Sequence, residues 1–250
     1  MDPADWILLC LKSTAMSDIP SLLEPLLQPN TRVVAIMNGL VEDDLMQLLP
    51  PQTTLYGGMA FICCNRIQPG HVHHSFKGSL SAGLAYGTDP VADHTALEEL
   101  WAPTLVQLDY EEPLLRGRWL KNLWNLPFNG ISVAMGGITI DQVVQDPGLR
   151  KLAYRVMDET LAVANAELTE RGYAPNQLLP NDTVETMMGF SDSMGAYQTS
   201  TMIDLVERKP MEVHYLFREP LKRAQALQVP TPHLETLVWQ IEALQRRYNL

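Results

Sequence analysis

Residues 116–130 carry three polar side chains at a regular spacing. Lys121, Asn125 and Asn129 lie four residues apart, so a helix would place them along one slowly drifting face. An ammonium group followed by two carboxamides can hold a small anionic substrate. From spacing alone, polar surface positions on an amphipathic helix are the more common explanation. Pro127 lacks a backbone N–H, so we expect it to kink or break this helix between the two asparagines.

A second polar segment spans residues 199–213. Ser200 and Asp204 would lie one helical turn apart. Pro210 is expected to begin a new helix with Glu212 in its first turn, where the helix dipole favours a carboxylate. From the residues alone, a capping role for Glu212 is the favoured interpretation.

The histidine and cysteine residues do not indicate a metal site. His71, His73 and His74 are close in sequence, but strand alternation sends His74 to the opposite face from the other two. The three cysteines show no C-x-x-C spacing, which argues against both a zinc site and a disulfide framework. We therefore expect no metal ion.

The composition is that of an ordinary globular protein with an acidic surface. Hydrophobic residues make up 46% of the 250 residues and charged residues 19%, and the formal net charge is −11. Nucleic-acid binders usually present a basic face, so nucleic acid is not an expected partner. The apolar run near the N-terminus is too short for a membrane or secretory segment. We expect a cytoplasmic protein that does not bind membranes.

The polar segments need a scaffold, and the first half of the chain suggests a parallel sheet. Strands are predicted at residues 5–11, 31–37 and 55–64. Helices are predicted between them at residues 19–27 and 42–49. Strands that alternate with helices in this way favour βα units and a parallel sheet.

The pattern then changes twice. Residues 71–76 and 79–86 predict a hairpin joined at Lys77 and Gly78, which would give the sheet an antiparallel edge. From residue 116 onward the strand signal stops and helical periodicity dominates. The predicted fold is α/β followed by all-α. Its predicted domains are an incomplete Rossmann-type domain at residues 1–115 and a helical substrate and catalytic domain at residues 116–250.

In chain order, these segments resemble the ketopantoate reductase (2-dehydropantoate 2-reductase) family, from Asp5 to the C-terminus. The family's motifs are a strand ending in lysine, an Asn-Gly pair, a P-G-x-V-x-H segment, a W-x-K-x-x-x-N-x-x-x-N segment, a Ser–Asp–Glu series and a V-P-T-P turn. The matching residues are Lys12, Asn38, Gly39, Pro69, Gly70, Val72, His74, Trp119, Lys121, Asn125, Asn129, Ser200, Asp204, Glu212 and residues 229–232.

The resemblance implies NADPH-dependent reduction of 2-dehydropantoate to pantoate, a step of pantothenate and coenzyme A biosynthesis. It implies that Lys121 is catalytic and protonates the developing alkoxide. The implied substrate-binding residues are Asn125, Asn129, Ser200 and Glu212. The implied cofactor-binding residues are Lys12, Asn38 and Glu212, with Cys64 added for its position at the end of the third predicted strand.

One element of a dinucleotide-binding fold is not found in the sequence. No glycine lies two positions from another, so the G-x-G-x-x-G motif that cradles the pyrophosphate is absent. Relative to the family, we expect two N-terminal βα units to be missing. We therefore expect weak cofactor binding, and poor solubility caused by an unpaired sheet edge.

Two alternatives stay open from the sequence. The first is a reductase of another small 2-oxo acid, because residues 126–128 can reshape the pocket. The second is a non-catalytic binding module that has lost its cofactor. The helical half is also compatible with a homodimer.

Overall fold

The computed structural model describes residues 2–250, and the side chains of all of these except residues 63, 65 and 75–77. The chain forms two compact units, one ending at Gly117 and the other running from Arg118 to Leu250. We describe each unit by itself.

The first unit is built on a five-stranded sheet with the strand order β1-β2-β3-β4-β5. The strands are β1 (Trp6–Leu9), β2 (Arg32–Ile36), β3 (Thr54–Gln68), β4 (His71–Tyr86) and β5 (Gln107–Tyr110). Strands β1, β2 and β3 are parallel, β4 runs antiparallel to β3, and β5 is parallel to β4. The mixed sheet confirms the predicted parallel region with an antiparallel addition.

The hairpin lies at a different place from the predicted one. Strand β4 continues through Lys77 and Gly78, and the chain reverses instead at Pro69 and Gly70. Gly70 has a φ of +75°, a left-handed conformation that favours glycine. The predicted position of the turn was wrong, because a Pro-Gly pair favours a turn more strongly than a Lys-Gly pair does.

The first two connecting helices are shorter than predicted, and one strand was not predicted at all. Helices α1 (Ile19–Leu23), α2 (Glu42–Gln47) and α3 (Pro90–Trp101) connect the strands of this unit. Pro25 converts the end of the first predicted helix into a 3-10 turn (Glu24–Leu26). Strand β5 has only four residues, two of them exposed, so it carries little hydrophobic signal.

Tyr56 of β3 lies at the centre of one face of the sheet. It is fully buried, packs with Val34, Leu80 and Leu97, and donates its hydroxyl hydrogen to the carbonyl oxygen of Asp93 at 2.8 Å. A buried tyrosine whose hydroxyl finds a partner adds apolar burial without leaving a polar group unsatisfied. This contact joins α3 to the sheet.

The second unit is helical, as predicted. Its elements are α4, which starts at the end of the first unit (Leu114–Ala134), α5 (Ile140–Gln145), α6 (Pro147–Glu170), α7 (Thr183–Asp192), α8 (Ser200–Val206), a π-helical turn (His214–Arg218), α9 (Glu219–Ala226) and α10 (Pro232–Tyr248). Among the described residues no helix is both long and apolar enough to cross a membrane.

Helix α4 is the buried centre of this unit. Trp119, Leu123 and Leu126 have no accessible surface. A Cβ atom at Gly130 would lie 2.5 Å from Cδ2 of Leu237, so glycine is required for the close approach of α10. The helix is therefore held by packing on several sides.

A buried carboxylate connects α4 to two other helices. Glu167 of α6 accepts a hydrogen bond from Nε1 of Trp119 at 2.7 Å. It also forms ion pairs with Arg223 of α9 at 2.7 Å and with Arg171 at 2.8 Å. The Glu167 side chain is 6% exposed, so three donors balance the cost of burying its charge.

Candidate active site

A continuous stripe of polar side chains runs along one face of α4. At about 100° per residue, six of them lie within an arc of about 100°: Arg118, Lys121, Asn122, Asn125, Asn129 and Ser132. Five of the six are buried, and Lys121 is half-buried. The expectation that Asn125 and Asn129 are surface positions was therefore wrong.

Pro127 does not interrupt this stripe. Helix α4 is continuous from Leu114 to Ala134 with the proline inside it. Pro127 lies on the side of the helix opposite Arg118, about 180° around the axis. The expected break between the asparagines was wrong, because the dense packing of a buried helix outweighs the loss of one backbone hydrogen bond.

The two predicted asparagines are linked to each other and to α8. Nδ2 of Asn129 donates to Oδ1 of Asn125 at 3.3 Å. Oδ1 of Asn129 accepts from the backbone N–H of Thr201 at 3.2 Å and from the Ser200 hydroxyl at 3.5 Å. The structure thus brings Asn125, Asn129 and Ser200 together, at the N-terminal end of α8.

Lys121 lies one turn before Asn125 on the same helix. The pKa of its ammonium group is lowered from 10.5 to about 7. Burial is the largest cause, the positive charge of Arg118 adds to it, and the carboxylate of Glu212 partly opposes both. A lysine with a pKa near neutrality exchanges its proton readily at physiological pH. This property suits a proton donor.

Glu212 is buried and lies close enough to act on the charge of Lys121. Residues 209–212 are not helical, and the π-helical turn begins at His214. The expectation that Glu212 lies in the first turn of a helix beginning at Pro210 was wrong. Pro210 is followed by a short non-helical segment in which Glu212 is buried.

Three buried residues of the stripe were missed from the sequence: Arg118, Asn122 and Ser132. Arg118 lies three residues before Lys121, and Asn122 lies next to it, three residues before Asn125. Both spacings return to the same helical face. The spacing of three residues was visible in the sequence, but only the residues spaced four apart were predicted as site residues.

Aromatic side chains flank the asparagine pair. The rings of Trp124 and Phe128 stack at 5.1 Å, and Trp124 meets Tyr197 at 6.2 Å. Nε1 of Trp124 donates to the Ser191 hydroxyl at 2.9 Å. Trp124 and Phe128 therefore lie next to the polar stripe on α4, and Tyr197 contacts Trp124.

In the first unit, Lys12 and Asn38 follow the carboxyl ends of two neighbouring parallel strands. The strand register pairs Leu9 with Ala35, so both chains leave the sheet at the same edge. Ligands of parallel sheets bind at this edge. A lysine ammonium and a carboxamide suit the oxygen-rich phosphate and ribose groups of a dinucleotide, so this donor set fits such a cofactor.

Cys64 does not lie at this edge. Strand β3 continues to Gln68, and its parallel pairing with β2 ends at Gly58. Six further residues at about 3.3 Å each place Cys64 about 20 Å along the strand, where it pairs with His74 of β4. The positional reason for including Cys64 was wrong, because β3 extends well beyond its parallel part.

Two family models match the chain and together cover most of its length. Residues 1–86 match "Ketopantoate reductase PanE/ApbA" and residues 114–245 match "Ketopantoate reductase PanE/ApbA C terminal".

Individual relatives support the same family. A 2-dehydropantoate 2-reductase of a Nostoc species is 30% identical over 99% of this chain and 76% of its own length. The crystal structure of 2-dehydropantoate 2-reductase from Geobacter metallireducens superposes with a TM-score of 0.88 at 32% identity, covering 97% of this chain and 78% of that one. A D-mandelate dehydrogenase complex with NADH and anilino(oxo)acetate has a TM-score of 0.83 at 18% identity, covering 100% and 79%, which shows a shared fold. This chain therefore belongs to the ketopantoate reductase family of NADP-dependent oxidoreductases.

Proposed function

We propose that this protein reduces 2-dehydropantoate to pantoate with NADPH, and that the polar stripe of α4 is its substrate site. The observation that carries the proposal is Lys121, whose pKa is lowered to about 7, one turn from the linked Asn125, Asn129 and Ser200. This set combines a proton donor with several hydrogen-bonding groups for a small polar acid.

NADPH, when bound, supplies a hydride to the keto carbon. The ammonium group of Lys121 hydrogen-bonds to the carbonyl oxygen, stabilises the negative charge that develops there and donates the proton that completes the hydroxyl group. Lys121 becomes a neutral amine and regains a proton from solvent, which a pKa near 7 permits.

The neighbouring side chains hold the rest of the substrate. The carboxamides of Asn125 and Asn129 and the hydroxyl group of Ser200 donate to the carboxylate and hydroxyl oxygens. Glu212 accepts a hydrogen bond from a hydroxyl group of substrate or cofactor ribose, and its negative charge favours the protonated form of Lys121. Together, these hydrogen bonds fix the position of the reacting carbonyl group relative to the ammonium group of Lys121.

In the first unit, Lys12 and Asn38 would hold the cofactor at the carboxyl edge of the parallel strands. Cys64 is left out of this proposal because it lies about 20 Å along β3 from that edge. A homodimer stays a prediction.

A bulkier 2-oxo acid is the second candidate. The Trp124, Phe128 and Tyr197 rings lie beside the asparagine pair, and an apolar surface of this kind suits an aromatic substrate group. The D-mandelate dehydrogenase that shares this fold was solved with such an aromatic 2-oxo acid analogue.

Assaying NADPH oxidation by the purified chain with a panel of 2-oxo acids separates the two candidates. NADPH is raised until the rate no longer increases, so that weak cofactor binding does not mask turnover. The proposal expects the highest kcat/KM for 2-dehydropantoate. A higher kcat/KM for phenylglyoxylate would favour the second candidate, and no turnover of any 2-oxo acid would contradict both.

A further inference from the structure

Asn122 is a buried amide whose hydrogen-bonding capacity is not used within the described part of the chain. The residue is 1% exposed, and its Nδ2 atom has no hydrogen-bond partner among the described residues. Burying an unsatisfied amide is costly. An unpaired buried donor therefore points to a group that is supplied from outside the chain.

The position of Asn122 places it within the proposed substrate site. It follows Lys121 directly and lies three residues before Asn125, on the polar face of α4. At a rise of about 1.5 Å per residue, Asn122 and Asn125 are about 4.5 Å apart along the helix axis. That distance is comparable to the length of a four-carbon 2-oxo acid.

Ser132 also has a buried side-chain oxygen without a partner among the described residues, but it carries no comparable inference. A serine hydroxyl inside a helix can rotate toward the carbonyl oxygen of the preceding turn. Ser132 also lies eleven residues beyond Lys121, or about 16 Å along the axis. Asn122, in contrast, directly follows the proposed proton donor, Lys121.

The other polar groups already account for the reacting end of the substrate. Lys121 serves the keto oxygen, and Asn125, Asn129 and Ser200 offer donors to the carboxylate. A further neutral donor suits a further neutral oxygen, because a second carboxylate would be better matched by a cation. A hydroxyl group on the substrate chain is such an oxygen.

We propose that Asn122 is a specificity-determining residue that donates a hydrogen bond to a hydroxyl group on the substrate chain, and so selects hydroxylated 2-oxo acids over their deoxy analogues. This inference rests on the proposed function and narrows its substrate class. It assigns Asn122 no part in the proton or hydride transfer.

The test compares two substrates that differ by one hydroxyl group. These are 2-dehydropantoate and trimethylpyruvate, which has the same carbon skeleton without the hydroxyl group. We expect Asn122→Leu, which has a similar shape, to lower kcat/KM for 2-dehydropantoate about tenfold and to leave kcat/KM for trimethylpyruvate within about twofold. Asn176→Leu, which makes the same change on an exposed side chain of the second unit, should change neither value.

If Asn122→Leu lowers both kcat/KM values equally, or changes neither, Asn122 does not select the hydroxyl group and the inference is overturned. Should Asn122→Leu lose cooperative thermal unfolding, the same comparison is made with the smaller Asn122→Ala. If the wild-type protein turns over neither substrate, the proposed function fails and the inference fails with it. Turnover with an unchanged substrate ratio overturns the inference alone.

Discussion

At the residue scale, Lys121 combines two properties that a proton donor needs. It lies one helical turn from Asn125, which we propose binds substrate, and its pKa of about 7 is close to physiological pH. Burial disfavours the ammonium form, Arg118 adds to that effect, and Glu212 opposes it. The ionisation of Lys121 is therefore set by two charged neighbours and by its own desolvation.

These charges predict a pH dependence. Only protonated Lys121 can donate, so kcat for reduction should fall as the pH rises through about 7. Glu212→Gln removes the negative charge that raises this pKa, so the alkaline fall should begin at a lower pH. The profile is measured as kcat against pH at saturating NADPH and substrate.

Glu207→Gln is the matched control, because it removes the same charge from an exposed side chain. It should leave the profile unchanged. An alkaline fall that does not move in Glu212→Gln would contradict the electrostatic account of Lys121.

The candidate site residues of α4 could be predicted from the sequence where they recur at a regular spacing. Lys121, Asn125 and Asn129 were predicted from spacings of four, and the structure places them on one face. The spacing of three placed Asn122 and Arg118 on the same face, but their burial depends on how neighbouring helices cover α4, which the local pattern does not contain. Glu212 was expected in the first turn of a helix because the non-helical segment after Pro210 has no distinctive sequence signal.

At the element scale, α4 is positioned by tertiary contacts. It contains Pro127 and Gly130, which have low helix propensity, yet the helix is unbroken. Packing against α10 and the hydrogen bond from Trp119 to Glu167 hold it in place. Sequence-based reasoning underestimated this because propensity is a weak determinant in a buried helix.

Glu167 provides the test at this scale. Glu167→Leu leaves the Trp119 indole N–H without its acceptor and removes one of the two carboxylate partners of Arg223, the other being Glu219. Removing one partner of a buried ion pair costs about 3–5 kcal/mol. We expect the free energy of unfolding in urea to fall by that amount.

The control is Asp192→Asn, which breaks an ion pair with Arg150 whose side chains are 32% and 45% exposed. Solvent screens such a pair, so the expected loss is below about 1 kcal/mol. Equal losses in the two variants would show that the Glu167 network does not stabilise the second unit.

At the scale of the whole molecule, the order of elements was more predictable than their bounds. The sequence predicted three parallel strands, an antiparallel addition and a helical second half, because the spacing of hydrophobic residues along the chain indicates each of these elements. The turn at Gly70 and the continuation of β3 past Gly58 were missed. The turn has a local Pro-Gly signal that the prediction did not use. The continuation of β3 depends on its pairing with β4, which also explains the misplaced Cys64.

The two units contribute different chemistry to the proposed reaction. The first carries Lys12 and Asn38 at the edge of a parallel sheet, and the second carries the polar stripe around Lys121. Family membership rests on matches to both units. The assignment of cofactor binding to one unit and substrate binding to the other is our proposal.

The most direct test of the account is NADPH-dependent reduction of 2-dehydropantoate by the wild-type protein and by Lys121→Ala. Loss of a general acid typically costs a factor of about 10²–10⁴, so kcat should fall by at least about 100-fold, while cooperative thermal unfolding is retained. Near-normal turnover by a folded Lys121→Ala protein would contradict the assignment of Lys121 as the proton donor.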